Sequence, residues 1–169
     1  MDDERQHDSL DLARLNHREH IDVARPRDEV YRLVADIART GEWSPTCVGC
    51  TWNPPHTGPE TGAWFTGHNR TPDREWDTES MVESAYPGSE FIWVVGGTAV
   101  RWGYLLDPID DGARTRLTLL WEVLPGGVEL FQREFGEQAG AQMERRRVQA
   151  LADMPQTLEA IRRVSEAPE

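Results

Sequence analysis

Three groups of residues carry the chemistry that this sequence can offer. The first is Cys47-Val48-Gly49-Cys50, which has the spacing of a redox or metal-binding pair, with His56 shortly after it. A zinc site takes four ligands, and no second cysteine pair exists to complete one. A thioredoxin-type pair opens a helix, whereas this one leads into a strand-like run. On a regular strand, positions three apart point to opposite faces, so the pair reads as chemically idle. The second group is His68-Asn69-Arg70. His68 has a side chain suited to proton transfer near neutral pH, although a histidine at a strand end is more often a surface residue. Asn69 both donates and accepts hydrogen bonds and so has the means to hold a ligand carbonyl. Ala63, Phe65, Gly67 and Asn69 share one face of their run, and Trp64, Thr66, His68 and Arg70 share the other. A bulge at Gly67 would exchange the two.

The third group is aromatic. Seven tryptophans occur, at positions 43, 52, 64, 76, 93, 102 and 121. In the stretch Ser89–Pro108, two runs rich in aromatic and β-branched residues flank Gly96-Gly97, which signals a two-residue hairpin. Phe91, Trp93 and Val95 fall on one face of the first run, and Trp102, Tyr104 and Leu106 on one face of the second. Alternation also turns Trp76, Trp121 and Phe65 inward, with Thr78 and Ser80 as polar neighbours. Such walls either fill a core or suit a flat aromatic, polyketide-like or steroid-like ligand, oriented by a few polar groups.

Positioning these residues requires a sheet and something to cover it. A strand-like run from Leu15 to Ala24 precedes an amphipathic helix expected over Pro26–Arg39, in which Val30, Tyr31, Val34 and Ile37 recur at helical spacing. Strands are expected at Thr46–Asn53, Thr61–Arg70 and Arg74–Ala85, then in the two arms of the hairpin, and at Ala113–Leu124. Gly126-Gly127 breaks the strand pattern. Phe131, Phe135, Ala139 and Met143 then lie four apart, and an apolar stripe through Val148, Leu151, Met154, Leu158, Ile161 and Val164 continues it. The main helix is placed at about Gln142 to Val164, bent at Pro155 but unbroken. Closely spaced antiparallel strands and a long covering helix make an α+β arrangement.

Composition excludes several functions. All 18 basic residues are arginine, so Schiff-base and lysine general-base mechanisms are ruled out. A net charge of −12 opposes binding to nucleic acid or to an anionic membrane. No phosphate-binding loop, dinucleotide glycine fingerprint or nucleophile elbow is present, and neither a cofactor nor a metal is expected. Arg145-Arg146-Arg147 reads as the solvated face of the last helix. Two cysteines make no disulfide framework, no signal peptide is evident, and no apolar run is long enough for a membrane span. The expected location is therefore the cytoplasm. Residues 1–14 are expected to be a mobile acidic segment ahead of a single domain at 15–165.

Several of these residues together resemble the START-like, Bet v 1-like helix-grip superfamily, and within it the polyketide cyclase/dehydrase (SRPBCC) branch. They are Ile21-Asp22-Val23-Ala24 with Pro26, the helix Glu29–Asp36, Glu42-Trp43-Ser44-Pro45, Gly62 through Phe65 with Gly67 and Asn69, and Trp76. Pro87-Gly88, Phe91, Trp102, Tyr104, Pro108 and the ending Thr157–Arg162 complete the series, which spans roughly Leu15 to Val164. The resemblance implies a curved seven-stranded antiparallel sheet gripping the C-terminal helix, with short helices after the first strand at the mouth of an internal hydrophobic cavity. It implies ligand contacts from Tyr31, Trp43, Phe65, Trp76, Thr78, Phe91, Trp93, Trp102, Trp121 and Leu151. Cyclases of this type steer aldol condensation and dehydration with a cavity arginine, a tyrosine and other polar groups. The counterparts here are Asn69, Tyr104 and Arg70, with Arg101 as a further arginine, although the strand alternation turns both arginines toward solvent. The implied partner is a hydrophobic, aromatic or polyketide-like small molecule, bound by a monomer or homodimer and cyclised or dehydrated there. The alternatives are a non-catalytic carrier and an interaction protein with a filled core.

Overall fold

Alternating large apolar and polar residues build one sheet, and every neighbouring pair of strands in it is antiparallel. The computed structural model describes residues 12–168. Of the segment expected to be mobile, residues 1–11 lie outside the described residues, and Leu12–Arg14 form a single 3₁₀ turn. The strands are β1 (Asn16–Val23), β2 (Cys47–Trp52), β3 (Trp64–Thr71), β4 (Arg74–Tyr86), β5 (Glu90–Val95), β6 (Val100–Ile109) and β7 (Arg114–Val123). Their spatial order is β1-β7-β6-β5-β4-β3-β2, so the first strand closes against the last.

Helix α1 (Arg27–Val34) has Asp28 and Glu29 in its first turn, where the helix dipole favours negative charge, and it buries Val30, Tyr31, Leu33 and Val34. The helix expected over Pro26–Arg39 is thus two pieces. Asp36 leaves the helical region (φ −81°, ψ 85°), and Ile37–Glu42 continue as a 3₁₀ segment that buries Ile37. The hairpin loop also differs from expectation. Val95 pairs with Val100, so residues 96–99 form a four-residue connection, closed by the Ala99 amide donating to the Val95 carbonyl at 3.0 Å. Gly96 and Gly97 take positive φ there (65° and 75°), a conformation that side chains resist.

Gly126-Gly127 begins a helix rather than only ending a strand. Helix α2 (Pro125–Phe135) starts with proline in its first turn. Its two glycines let it sit against the hairpin loop. A Cβ on Gly126 would lie 2.5 Å from the Thr98 carbonyl oxygen, and one on Gly127 would lie 2.3 Å from that of Ala99. Helix α3 (Ala139–Glu166) then runs unbroken through Pro155, longer than expected but single. It buries Met143, Ala150, Met154, Leu158 and Ile161, while Val148, expected in the apolar stripe, is exposed. Its last turn fastens to the end of β1. The Ala24 amide donates to Glu166 Oε1 at 2.7 Å, and Arg25 Nε donates to the Ser165 carbonyl at 3.0 Å.

Between the sheet and these helices lies the core, with Val23, Val82, Phe91, Leu117, Leu158 and Ile161 all but fully buried. Each such side chain contributes about 1.5–3 kcal/mol by leaving water. On the opposite face of the sheet Arg101 ties three strands together, donating to Glu83 of β4 and Glu122 of β7, each at 2.7 Å. This is the α+β helix grip: a seven-stranded antiparallel sheet and a long C-terminal helix.

Candidate functional site

The gripping face of the sheet does not close completely on the helices. A cavity of about 670 Å³ remains, bounded by β2–β7, α2, α3 and the 3₁₀ segment. Register explains its aromatic wall. Phe91 pairs with Tyr104, Trp93 with Trp102, and Trp102 in turn with Trp121 of β7. All five therefore face the same way, and all five line the cavity. Trp93 joins several of these rings: it stands 5.5 Å from Phe91 and 5.6 Å from Tyr104, with Phe65 edge-on at 6.4 Å. Offset and tilted contacts of this kind are the arrangements aromatic quadrupoles favour. Across the opening, α2 brings Phe131 and Phe135, 5.5 Å apart.

Polar groups interrupt this wall at a few points. β3 pairs regularly with β4 from Trp64 to Thr71, so no bulge occurs at Gly67, and Phe65, Gly67 and Asn69 all face the cavity. Asn69 spends its amide hydrogens close to home, with Nδ2 donating to the Gly67 carbonyl at 3.2 Å, the Trp76 carbonyl at 3.4 Å and Thr78 Oγ1 at 3.4 Å. Trp76, Thr78 and Ser80 follow on the same face of β4. Arg74 lies over the Trp76 ring at 4.1 Å, a cation–π contact. Burial pushes the phenol of Tyr104 well above its ordinary range, so it stays neutral and able to donate. Trp43 also lines the cavity, and its buried Nε1–H has no partner among the described residues. It lies near the Tyr104 hydroxyl without meeting hydrogen-bond geometry.

Other expected site residues lie elsewhere. Arg70 is on the outer face, its Nε donating to Glu75 Oε1 at 2.6 Å, because the regular register of β3 turns it away from Asn69's side. Arg101 is likewise committed to the outer face. Tyr31 is packed into the core from α1, and Leu151 sits half-buried on α3, so neither lines the cavity. His68 is on the outer face, its ring nitrogens 2.9 Å from Asp77 and 3.3 Å from Thr51.

Two features escaped the sequence reading. Arg146 lines the cavity beside Gln149 and Asp153, so the Arg145–Arg147 run is not wholly a solvated face. Its guanidinium pKa is lowered by desolvation and by Arg74, and Asp153 is raised by burial. The second is the cysteine pair. Cys47 pairs with Asn69, but Gly49 pairs with His68, so the register shifts between them and β2 carries an irregularity at Val48. That shift turns both cysteines to the cavity, their sulfurs 3.5 Å apart. A glycine within a strand is a sequence signal for such a bulge, and Gly49 supplied one. The contact with Cys50 brings Cys47 down to about 7, opposed by burial and helped by the backbone of Gly49 and by His68, while Cys50 is raised by the same contact and by burial. Among the described residues, no three His, Cys, Asp or Glu side chains gather as a metal site.

The family profile described as polyketide cyclase/dehydrase and lipid transport matches residues 14–159. The chain belongs to this family. A polyketide-cyclase-like protein of Corynebacterium glutamicum, solved in solution, is similar at 43% identity over 90% of this chain and 91% of its own, with a TM-score of 0.66. Two more distant likenesses show the fold alone. The di-domain ARO/CYC StfQ from the steffimycin biosynthetic pathway is 14% identical, covering 90% of this chain and 50% of its own, with a TM-score of 0.64. A Nitrosomonas europaea protein is 15% identical over 91% and 96%, with a TM-score of 0.61. No curated protein matches the chain. No helix among the described residues is long and apolar enough to cross a membrane.

Proposed function

We propose that this protein binds a flat, hydrophobic, carbonyl-bearing small molecule, aromatic or polyketide-like, in the cavity between sheet and helices. The single observation that carries this reading is the cavity itself. About 670 Å³ falls within the range of small-molecule sites; its sheet wall is rich in aromatic rings, with polar groups at Asn69, Thr78 and Ser80 and, from α3, at Arg146, Gln149 and Asp153. The ligand's rings stack on Trp93 and Trp102, and a carbonyl oxygen accepts from Tyr104 and from the otherwise unpartnered Trp43 Nε1–H. Filling that orphan donor adds affinity, because a buried donor without a partner is costly. Membership of the family supports ligand binding, and the cyclase-like names of its relatives are compatible with it.

A second reading is cyclisation or dehydration of the bound chain. Here Tyr104 would polarise the carbonyl, and the walls would supply orientation and exclude water. The outward placement of Arg70 and the internal use of the Asn69 amide hydrogens favour binding over this catalysis. Native mass spectrometry of the protein from its own host tests the first reading. A retained aromatic metabolite supports it, and a protein that is always empty and leaves the tryptophan fluorescence unchanged on titration with polycyclic aromatic ketones overturns it. Turnover of such a ketone, abolished in Tyr104→Phe while binding is only weakened, would establish the second.

A further inference from the structure

We propose that Cys47 and Cys50 form a nucleophilic thiol site in the cavity wall, with Cys47 as the attacking sulfur and conjugated carbonyl compounds, quinones or enones of aromatic size, as its ligand class. This rests on the reading of the cavity as a site for flat hydrophobic molecules. The two sulfurs stand 3.5 Å apart on one face only because β2 shifts register at Val48. Opposite them β3 presents Gly67, which pairs with Cys50. A Cβ there would lie 3.7 Å from Cys50 Sγ and 3.9 Å from Cys47 Sγ, so the absent side chain keeps the flank of both sulfurs open.

Thiolates, not thiols, are the nucleophiles, and the two cysteines divide the roles. As thiols, Cys47 donates toward the Gly49 carbonyl at 3.4 Å and Cys50 toward Thr40 Oγ1 at 3.9 Å, with Thr40 donating to the Ile37 carbonyl at 2.8 Å; once Cys47 is ionised, its sulfur becomes an acceptor for the Cys50 thiol 3.5 Å away. With Cys47 lowered to about 7 by its contact with Cys50, a large share of it is ionised at neutral pH. The titratable groups around it are Cys50 on its own strand, His68 on β3 and Tyr104 on β6. Tyr104 and Trp43, lining the same cavity, are hydrogen-bond donors for the oxygen on which charge develops.

The step balances without an oxidant. The Cys47 sulfur bonds to the β-carbon, the alkene π pair shifts to the bond between the α-carbon and the carbonyl carbon, the carbonyl π pair moves onto oxygen to give an enolate, and the proton given up by Cys47 returns to the ligand from solvent. The net change is addition of S–H across the double bond.

The test treats the full chain with 1,4-naphthoquinone, with iodoacetamide as a small electrophile that needs no ring-binding site, and with naphthalene as a non-reactive ring. Adducts are mapped by peptide mass spectrometry, and naphthalene binding is read from tryptophan quenching. The expected result is a single quinone adduct on Cys47, formed at least tenfold faster than on glutathione at pH 7. Iodoacetamide should label Cys47 with a rate midpoint near pH 7, moving upward in Cys50→Ala, and Cys47→Ser should give no adduct. If naphthalene quenches but the quinone labels no faster than glutathione, or labels Cys50 equally, the thiol site is wrong and the binding reading stands. If iodoacetamide finds the low midpoint but naphthalene does not quench and the quinone shows no advantage, the binding reading fails and the assigned ligand class fails with it.

Discussion

Replacing Gly127 by alanine sets two effects of opposite sign against each other, and the geometry decides between them. On propensity alone the change favours the helix by up to about 1 kcal/mol. Gly127 has no positive φ that would strain alanine. The new methyl, however, would meet the Ala99 carbonyl oxygen at 2.3 Å, the Ala99 carbonyl carbon at 3.0 Å and Val123 Cγ1 at 3.1 Å. Two of these three are backbone atoms, held by the hydrogen bond from the Leu124 amide to the Ala99 carbonyl at 2.9 Å. To reach an ordinary contact of about 3.4 Å, the start of α2 must move outward by about 1 Å. Overpacking costs about 1–3 kcal/mol, and an approach of 2.3 Å to fixed backbone belongs in the upper part of that range, about 2–3 kcal/mol, which leaves a net loss of about 1–2 kcal/mol after the propensity gain. For a chain of this size that lowers Tm by about 2–8 °C. The same displacement carries Phe131 and Phe135 away from the cavity mouth, so affinity for polycyclic aromatics should fall as well. Thermal unfolding followed by near-ultraviolet circular dichroism measures the first effect, and tryptophan quenching the second. Gly58→Ala serves as control, because nothing lies within 4 Å of its added methyl, and it should be neutral or stabilising. A Tm for Gly127→Ala equal to or above that of the parent would refute the argument that α2 rests on the hairpin through its glycines.

Phe91→Ala removes a ring that is only 1% exposed at the junction of wall and core, and guanidinium unfolding should register a loss of about 3–5 kcal/mol. Tyr104→Phe should weaken binding of aromatic ketones by about 1 kcal/mol, roughly fivefold, and leave the affinity for unsubstituted hydrocarbons unchanged in the same quenching assay. The Arg101 guanidinium holds Glu83 below the usual carboxylate range. A depressed carboxylate contributes stability that is present above its unfolded value of about 4.3 and is lost as pH falls through its lower folded value. The stability gap between the parent and Arg101→Gln should therefore narrow below about pH 4 in urea titrations. At the other end, burial raises Tyr104, so its contribution is whole below its unfolded value of about 10 and is lost as pH rises through the folded one. Above about pH 10, stability should fall more steeply in the parent than in Tyr104→Phe.

Much of this architecture was legible because strands announce themselves by alternation. Phe91, Trp93, Trp102, Tyr104 and Trp121 could be assigned to one face from their spacing alone, and the register bears that assignment out. What escaped depended on local departures from regularity that period-counting cannot see. Treating β2 as regular put Cys47 and Cys50 on opposite faces, and a one-residue shift at Val48 reverses that. On β3 the plain alternation held: the bulge considered at Gly67 is absent, and Arg70 points outward beside Glu75 as the spacing implied. Gly126-Gly127 read only as the end of the strand pattern, yet the pair opens α2, where close approach to Thr98 and Ala99 demands glycine. Tyr31 and Leu151 sit on helices whose apolar faces serve the core as well as the cavity, and helical period alone cannot tell the two apart. Arg146 fell in a basic run that reads as solvated, although it lines the cavity together with Gln149 and Asp153 of α3.

The pairing of β1 with β7 has a consequence for the order of events in the cell. Asn16 meets Glu122 and Val23 meets Thr115, so the first strand must wait for about 100 further residues before any partner for it exists. At a ribosomal pace of about 5–20 residues per second, that leaves β1 unpaired for about 5–20 seconds of synthesis. Strands β2 to β7 can meanwhile zip as successive hairpins in the order they emerge. The grip then closes last, when α3 arrives and Glu166 takes the Ala24 amide at the end of β1. Assembly therefore runs outward from the hairpins and ends at the seam between the first strand and the final helical turn.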